Sequence, residues 1–197
     1  MPTLAYPIGN SLYLNSTNRC SNECSFCIKI QSRSFHKNDL FLDTEPSFNG
    51  IMDAIEEFSD FDEVVFCGYG ESLLRLDLVK QVAEAVKQRY CTRIRINTDG
   101  QANLVYGRNI IPELVGIVDC ISVSLNAPDA ATYMRLCHSP FGTAGFTAVC
   151  DFIRLASAEI PEVIASIVRL PSLDVDTCKA LALSLGASFR VRSYYRG

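Results

Sequence analysis

Apolar residues fall along this chain in two alternating rhythms. Short apolar runs recur at residues 11–15, 63–67, 93–97, 120–125 and 163–170, and again around Phe189 and Val191. Nearly continuous runs of this length, such as Glu63-Val-Val-Phe-Cys67, read as buried parallel strands. Between them the spacing changes to that of helices. Ile51, Ala54, Ile55 and Phe58 share one face, as do Val79, Val82, Ala83 and Val86. Phe146, Val149, Cys150 and Ile153 form another such stripe, and Cys178, Leu181, Ala182 and Leu185 a fourth. Residues 128–137 also read as helical. Thr44-Glu-Pro-Ser47 suits a helix entry with proline in the first turn, and Gly186 suits a C-terminal cap. Residues 28–43 are polar and basic without a clear period, an extended loop or a short irregular helix. Residues 101–116 are also irregular, with a short helix expected after Pro112.

Strand and helix therefore alternate six times, at intervals of roughly 25–45 residues, the range of a βα repeat. Such alternation predicts an α/β fold of parallel strands joined by right-handed crossovers. A closed eight-fold barrel takes about 250 residues, and this chain has 197. The expected architecture is an open, partial (β/α)6 barrel (an incomplete TIM barrel), formed by one domain over residues 1–197.

Composition agrees with a packed core: 48% of residues are hydrophobic and the mean hydropathy is +0.14. No apolar stretch is long enough to span a bilayer, and the N-terminal residues lack a basic region followed by an apolar core, so a cytoplasmic protein is expected. A net charge of −4 and a pI near 5.2 give no global positive field for nucleic acid. Local basic groups do occur at Arg93 and Arg95, and at Arg190, Arg192 and Arg196. There are nine cysteines. Without a secretory signal, free thiols and a metal centre are expected in place of disulfides.

Three of those thiols lie close together, in Cys20-Ser-Asn-Glu-Cys24-Ser-Phe-Cys27, directly after the first apolar run. Thiolates are soft ligands for zinc, copper(I) or iron–sulfur clusters. A closed zinc site needs four ligands, which His36 or a distant cysteine would have to complete. Cubane clusters are commonly held by four cysteines, so three leave one iron free for a small molecule. A structural zinc or iron–sulfur module, serving interaction or electron transfer without catalysis, stands as the alternative to an enzyme.

CxxxCxxC with Phe26 before its third cysteine resembles the hallmark of the radical S-adenosylmethionine (SAM) superfamily. Gly68-Tyr-Gly-Glu71 is similar to the superfamily's Gly-Gly-Glu-Pro motif, with Tyr69 in place of a glycine and Ser72 in place of proline, changes expected to loosen the loop. Asn97-Thr-Asp-Gly100 resembles its Thr-Asn-Gly turn. Longer stretches, Tyr6 to Asn15, Thr17 to Cys20, Phe66 to Glu71, Arg95 to Asn103 and Ser122 to Asp129, resemble the TatD-family-associated radical SAM proteins.

The resemblance implies the partial barrel and a 4Fe–4S cluster on Cys20, Cys24 and Cys27. Its fourth iron would chelate SAM and cleave it reductively to methionine and a 5′-deoxyadenosyl radical, which abstracts hydrogen from a substrate. It implies that the backbone of Gly68, Tyr69 and Gly70 binds the SAM amino group, with Glu71 orienting that segment. Ser124 and Asn126 are implied for the ribose or carboxylate, Asn97 for a ligand contact, and Phe26 for the adenine through its backbone. The implied partners are a one-electron donor such as flavodoxin or ferredoxin, and a TatD-type hydrolase. His36, His138, Arg108, Arg169 and Arg192 are further candidates, the arginines for an anionic substrate or the SAM carboxylate.

Overall fold

The computed structural model describes residues 2–32 and 34–195; the basic positions Arg33 and Arg196 lie outside them. The chain opens with a hairpin of β1 (Ala5–Ile8) and β2 (Ser11–Leu14), antiparallel, with Pro7 opposite Leu12. Gly9 adopts φ +58° in the two-residue turn. A short helix α1 (Ile28–Gln31) and a small ribbon of β3 (Ser34–Phe35) and β4 (Asn38–Asp39) follow. The regular alternation then begins: α2 (Phe48–Glu56), β5 (Glu63–Phe66), α3 (Leu76–Tyr90), β6 (Arg93–Thr98) and α4 (Ala102–Tyr106). It continues with β7 (Cys120–Ser124), α5 (Ala130–Cys137), α6 (Thr143–Glu159), β8 (Glu162–Val168), α7 (Val175–Ser184) and β9 (Ser188–Arg192).

The seven strands of the main sheet run in the order β1-β2-β5-β6-β7-β8-β9. All neighbours beyond the first hairpin are parallel, and β1 and β9 stay unpaired to one another, so the sheet is not closed. The six parallel strands are those expected from the sequence; the antiparallel β1 is an addition. Proline is tolerated there because β1 is an edge strand. The irregular segment also differs from expectation. Its α-helix lies at α4, before Pro112, and Pro112 itself sits within a single 3₁₀ turn, Ile111–Glu113.

Strand alternation divides the sheet into two faces. Leu12, Leu14, Val64, Phe66, Ile94, Ile96, Ile121 and Val123 point to the helices, where they pack with Ile51, Ile55, Val79, Val82, Val149, Phe152 and Ile153. Phe66 and Phe152 are fully buried in this layer, and truncating either to alanine would cost about 3–5 kcal/mol. Helix ends are fixed locally. Ser47 accepts a hydrogen bond from Gly50 N at 3.2 Å, Asp129 from Thr132 N at 2.8 Å and Asp174 from Thr177 N at 3.0 Å. The opposite face of the sheet, lining the lumen, is mostly polar, with Val65, Ile164 and Val168 among its polar residues. Tyr13, Glu63, Arg95, Asn97, Ser122, Ser124, Ser166, Arg190 and Arg192 occupy it in register.

Candidate cofactor site

The cysteine loop leaves β2 at the carboxyl end of the parallel strands, where α/β sheets build their sites. It is held by backbone and side-chain bonds of its own. Asn15 Nδ2 donates to Leu40 O at 2.8 Å. Farther on, Glu23 N donates to Cys137 O at 3.0 Å and Ser25 N to Leu136 O at 2.9 Å. The loop thereby satisfies carbonyls that the last turn of α5 would leave without partners. Asn22 Nδ2 donates to the buried Tyr133 hydroxyl at 3.0 Å, and Cys27 N closes a turn on Cys24 O at 3.0 Å. Cys20 is exposed; Cys24 and Cys27 are half-buried.

Although Cys20 keeps a face in solvent, the protein packed around its sulfur desolvates it and raises its thiol above the ordinary range, as burial does for Cys27. Cys24 is raised first by a hydrogen bond with the Cys137 thiol and then by burial. A metal must therefore displace protons when it takes these ligands, which couples loading to pH. Cys137 stands out only in three dimensions, since in the sequence it is one apolar-neighboured cysteine among several.

Against this loop packs the turn after β5. Glu71 N donates to Arg19 O at 2.7 Å, and Cys67 N to Leu14 O at 3.0 Å. A Cβ on Gly70 would lie 2.4 Å from the carbonyl oxygens of both Thr17 and Arg19; one on Gly68 would lie 2.0 Å from Asn15 Oδ1. Neither glycine has positive φ. Both are needed for close approach of two backbones. Tyr69 does not loosen the turn, contrary to expectation. Its ring is buried with Tyr6 and Leu40, and its hydroxyl donates to Ser32 O at 2.7 Å. Ser72, in the proline's place, is buried and bonded to Ser16 Oγ at 3.3 Å.

Glu71 is enclosed in a buried polar network. Its carboxyl accepts from Leu73 N at 2.9 Å, Thr98 Oγ1 at 2.9 Å and Asp99 N at 2.6 Å. Asp99 in turn accepts from Ser21 Oγ on the cysteine loop and from Gln101 N at 3.0 Å. Desolvation, then the charge of Asp99, pushes the Glu71 pKa up; desolvation also raises Asp99. Gln101 Nε2 extends the chain to Asn22 Oδ1 at 2.8 Å. These contacts tie the turn after β6 to both other loops.

The remaining candidates face the lumen. Asn97 accepts from Arg95 Nη1 at 3.1 Å and bonds the Cys67 thiol. Ser124 and Asn126 do not share a strand face, since β7 ends at Ser124 and Asn126 is left-handed, with φ +56°. They converge nonetheless, because Arg192 Nη2 donates to Ser124 Oγ and to Asn126 Oδ1, each at 3.2 Å. Phe26 packs against the main core. His36 is exposed and set edge-on to Phe35. His138 caps α5 with a ring nitrogen 2.9 Å from Arg135 O. Arg108 pairs with Glu113 away from the lumen.

Residues 14–184 match the profile described as the radical SAM superfamily. The chain belongs to the radical SAM superfamily. It is accordingly a radical SAM enzyme, with a 4Fe–4S cluster and SAM as cofactors. Solved structures share the fold. A radical SAM methyltransferase from Sphaerobacter thermophilus superposes with TM-score 0.50 at 16% identity, over 98% of this chain and 69% of its own. Archaeal TYW1 gives TM-score 0.62 at 9% identity, over 94% of this chain and 65% of its own. The methyltransferase TsrM from Kitasatospora setae, solved with cobalamin and a [4Fe–4S] cluster, gives 0.56 at 12%, over 92% and 36%. No curated protein matches the sequence.

The donor set of this radical SAM protein suits such a cluster. Among the described residues no three Cys, His, Asp or Glu side chains close on a single point as ligands of one metal ion would. Cys20, Cys24 and Cys27 supply three soft thiolate donors from one loop, the kind of ligand an iron–sulfur cluster takes. Among the described residues no helix is long and apolar enough to cross a membrane.

Proposed function

We propose that Cys20, Cys24 and Cys27 hold the 4Fe–4S cluster of a radical SAM enzyme of the TatD-associated kind, acting as one core domain over residues 1–197. When bound, the cluster supplies the electron that cleaves SAM reductively to methionine and a 5′-deoxyadenosyl radical, which takes hydrogen from the substrate. The chain's own part is to hold and orient. Three thiols leave one iron without a protein ligand. The backbone of Gly68, Tyr69 and Gly70 receives the amino group of SAM, while Glu71 fixes that turn through Leu73, Thr98 and Asp99. Ser124 and Asn126 take the ribose or carboxylate, Asn97 lies deeper on the lumen wall, and Phe26 borders the adenine. The protein works in the cytoplasm with a flavodoxin or ferredoxin as donor and in association with a TatD-type hydrolase.

One observation carries this reading: the turn Gly68–Glu71 packs on the cysteine loop so closely that a side chain at Gly70 would strike two of the loop's carbonyl oxygens. Anaerobic reconstitution with iron and sulfide, then dithionite and SAM, is expected to yield 5′-deoxyadenosine. Replacing Cys20, Cys24 and Cys27 together by alanine should abolish iron loading and SAM cleavage. Cleavage at the wild-type rate in that triple variant sinks the assignment.

A further inference from the structure

We propose that Arg190 and Arg192 form an anion subsite for the substrate, and therefore that the substrate carries a carboxylate or phosphate; this rests on the placement of SAM given above. The cysteine loop follows β2, and the residues assigned to SAM follow β5, β6 and β7. That leaves β8 and β9, the last two strands of the sheet, as lumen wall with no cofactor to bind. Phe189 and Val191 pack toward the helices, so Arg190 and Arg192 share the opposite, lumenal face.

Register locates them relative to SAM. Ser124 pairs with Ser166, and Ser166 with Arg190, in one row across three strands. At about 4.8 Å per strand, Arg190 stands about 10 Å along the row from Ser124. Arg192 is one pleat nearer the rim, about 7 Å farther along its strand, and its head group bends over to Ser124 and Asn126. Arg192 thus reaches the edge of the SAM residues, while Arg190 stands on the wall beyond them.

Arg95, on the same face, is neutralised by Glu63 at 2.9 Å. Among the described residues neither Arg190 nor Arg192 pairs with a carboxylate, and Arg190 makes no side-chain bond. Arginine cannot shed its proton, so the two charges, two residues apart on one strand face, repel, and an anion held by both would relieve that. Although Arg192 keeps contact with solvent along the lumen, protein around its head group pulls its pKa down. An oxyanion spanning the pair would accept charge-assisted bonds from both. Ser124 and Asn126 already serve the ribose or carboxylate of SAM in the reading above, which leaves the arginine pair to the other reactant.

The test measures binding of inorganic phosphate and, separately, of succinate by calorimetry to the reconstituted protein, with and without saturating SAM. At least one anion should bind in both states, and which one does separates a phosphorylated substrate from a carboxylic one. Arg190→Gln with Arg192→Gln should weaken that binding about tenfold or more. Arg190→Lys with Arg192→Lys should retain it. Should the double Gln variant fail to fold, Arg190→Gln alone, whose side chain touches no described partner, carries the comparison. Undiminished affinity in the Gln variants, no anion binding by the wild type, or displacement of the anion by SAM overturns the proposal. A protein that binds the anion through this pair but takes up neither iron nor SAM fails only the earlier reading; one that binds SAM without the anion fails only this one.

Discussion

The two ends of the parallel strands handle charge in opposite ways. At the amino ends, Arg93 meets Glu162 and, at 3.3 Å, Glu63, while Lys87 meets Asp119 at 2.7 Å. These pairs flank a cleft of about 690 Å³ that Cys91 and Thr92 also line. At the carboxyl ends, Arg19 and Arg75 pair with Glu45, but the buried acids and the lumenal cations of β9 stand apart. Glu71 and Asp99 are buried together without a cation among their hydrogen-bond partners, and Arg190 and Arg192 lie on another strand without an acid. One end resolves its electrostatics internally and contributes modestly to stability. The other leaves Arg190 and Arg192 without an acid among the described residues. Cleft size is thus a poor guide to function in this molecule, because the roomy cleft lies at the end where charge is already matched.

Four substitutions break or sharpen the contrast. Gly70→Ala has the largest expected effect: its methyl meets two backbone oxygens at 2.4 Å. Overpacking of this kind costs about 1–3 kcal/mol or more. Urea unfolding should show a midpoint lowered accordingly, and SAM cleavage should fall sharply. A wild-type midpoint would mean the two loops are not packed as described.

Glu71→Gln comes next and changes the pH profile. Burial and Asp99 raise the Glu71 pKa in the folded state, so the native protein binds a proton more tightly than the unfolded chain. Stability from this group is full below the ordinary glutamate range and is lost as pH rises through the raised value. Melting temperatures of the metal-free protein should decline from mildly acidic to mildly alkaline pH. The Gln variant should flatten that decline; an unchanged slope would place its origin elsewhere.

Tyr69→Phe removes the donor to Ser32 O and keeps the buried ring, so about 1 kcal/mol is expected, with faster amide exchange in residues 28–32 as the readout. Lys87→Gln at the other end should cost under about 1 kcal/mol, since half-exposed ion pairs are screened, and should leave SAM cleavage untouched. A large loss of cleavage there would erase the distinction between the ends.

Much of this could be read along the chain, and the failures have physical causes. The six parallel strands and the long helices follow from apolar runs and helical stripes, signals local to each element. The edge strand β1 escaped because Pro7 argues against a strand unless its partner is known, although Gly9-Asn10 is a competent two-residue turn. The helix α4 spans only Ala102–Tyr106, too few residues to show a period. At the site, the spacing of Cys20, Cys24 and Cys27 and the turn at Gly68–Glu71 were legible as motifs. Tyr69 was misjudged because its pocket is built from Tyr6 and Leu40, far away in sequence. The meeting of Arg192 with Ser124 and Asn126 crosses more than sixty positions and leaves no trace in either neighbourhood.

The two amide bonds from Glu23 and Ser25 to the end of α5 bear on how the protein is assembled. A zinc finger has no fold until its ion arrives, so the metal acts as mortar. Here two amide bonds tie the loop to a packed helix, so the mounting rests on the fold as well as on its cargo. Chelation should empty it with little change in circular dichroism, and refilling should proceed without a folding phase. A damaged cluster could then be replaced in a standing protein, a useful economy where oxygen is an occasional visitor.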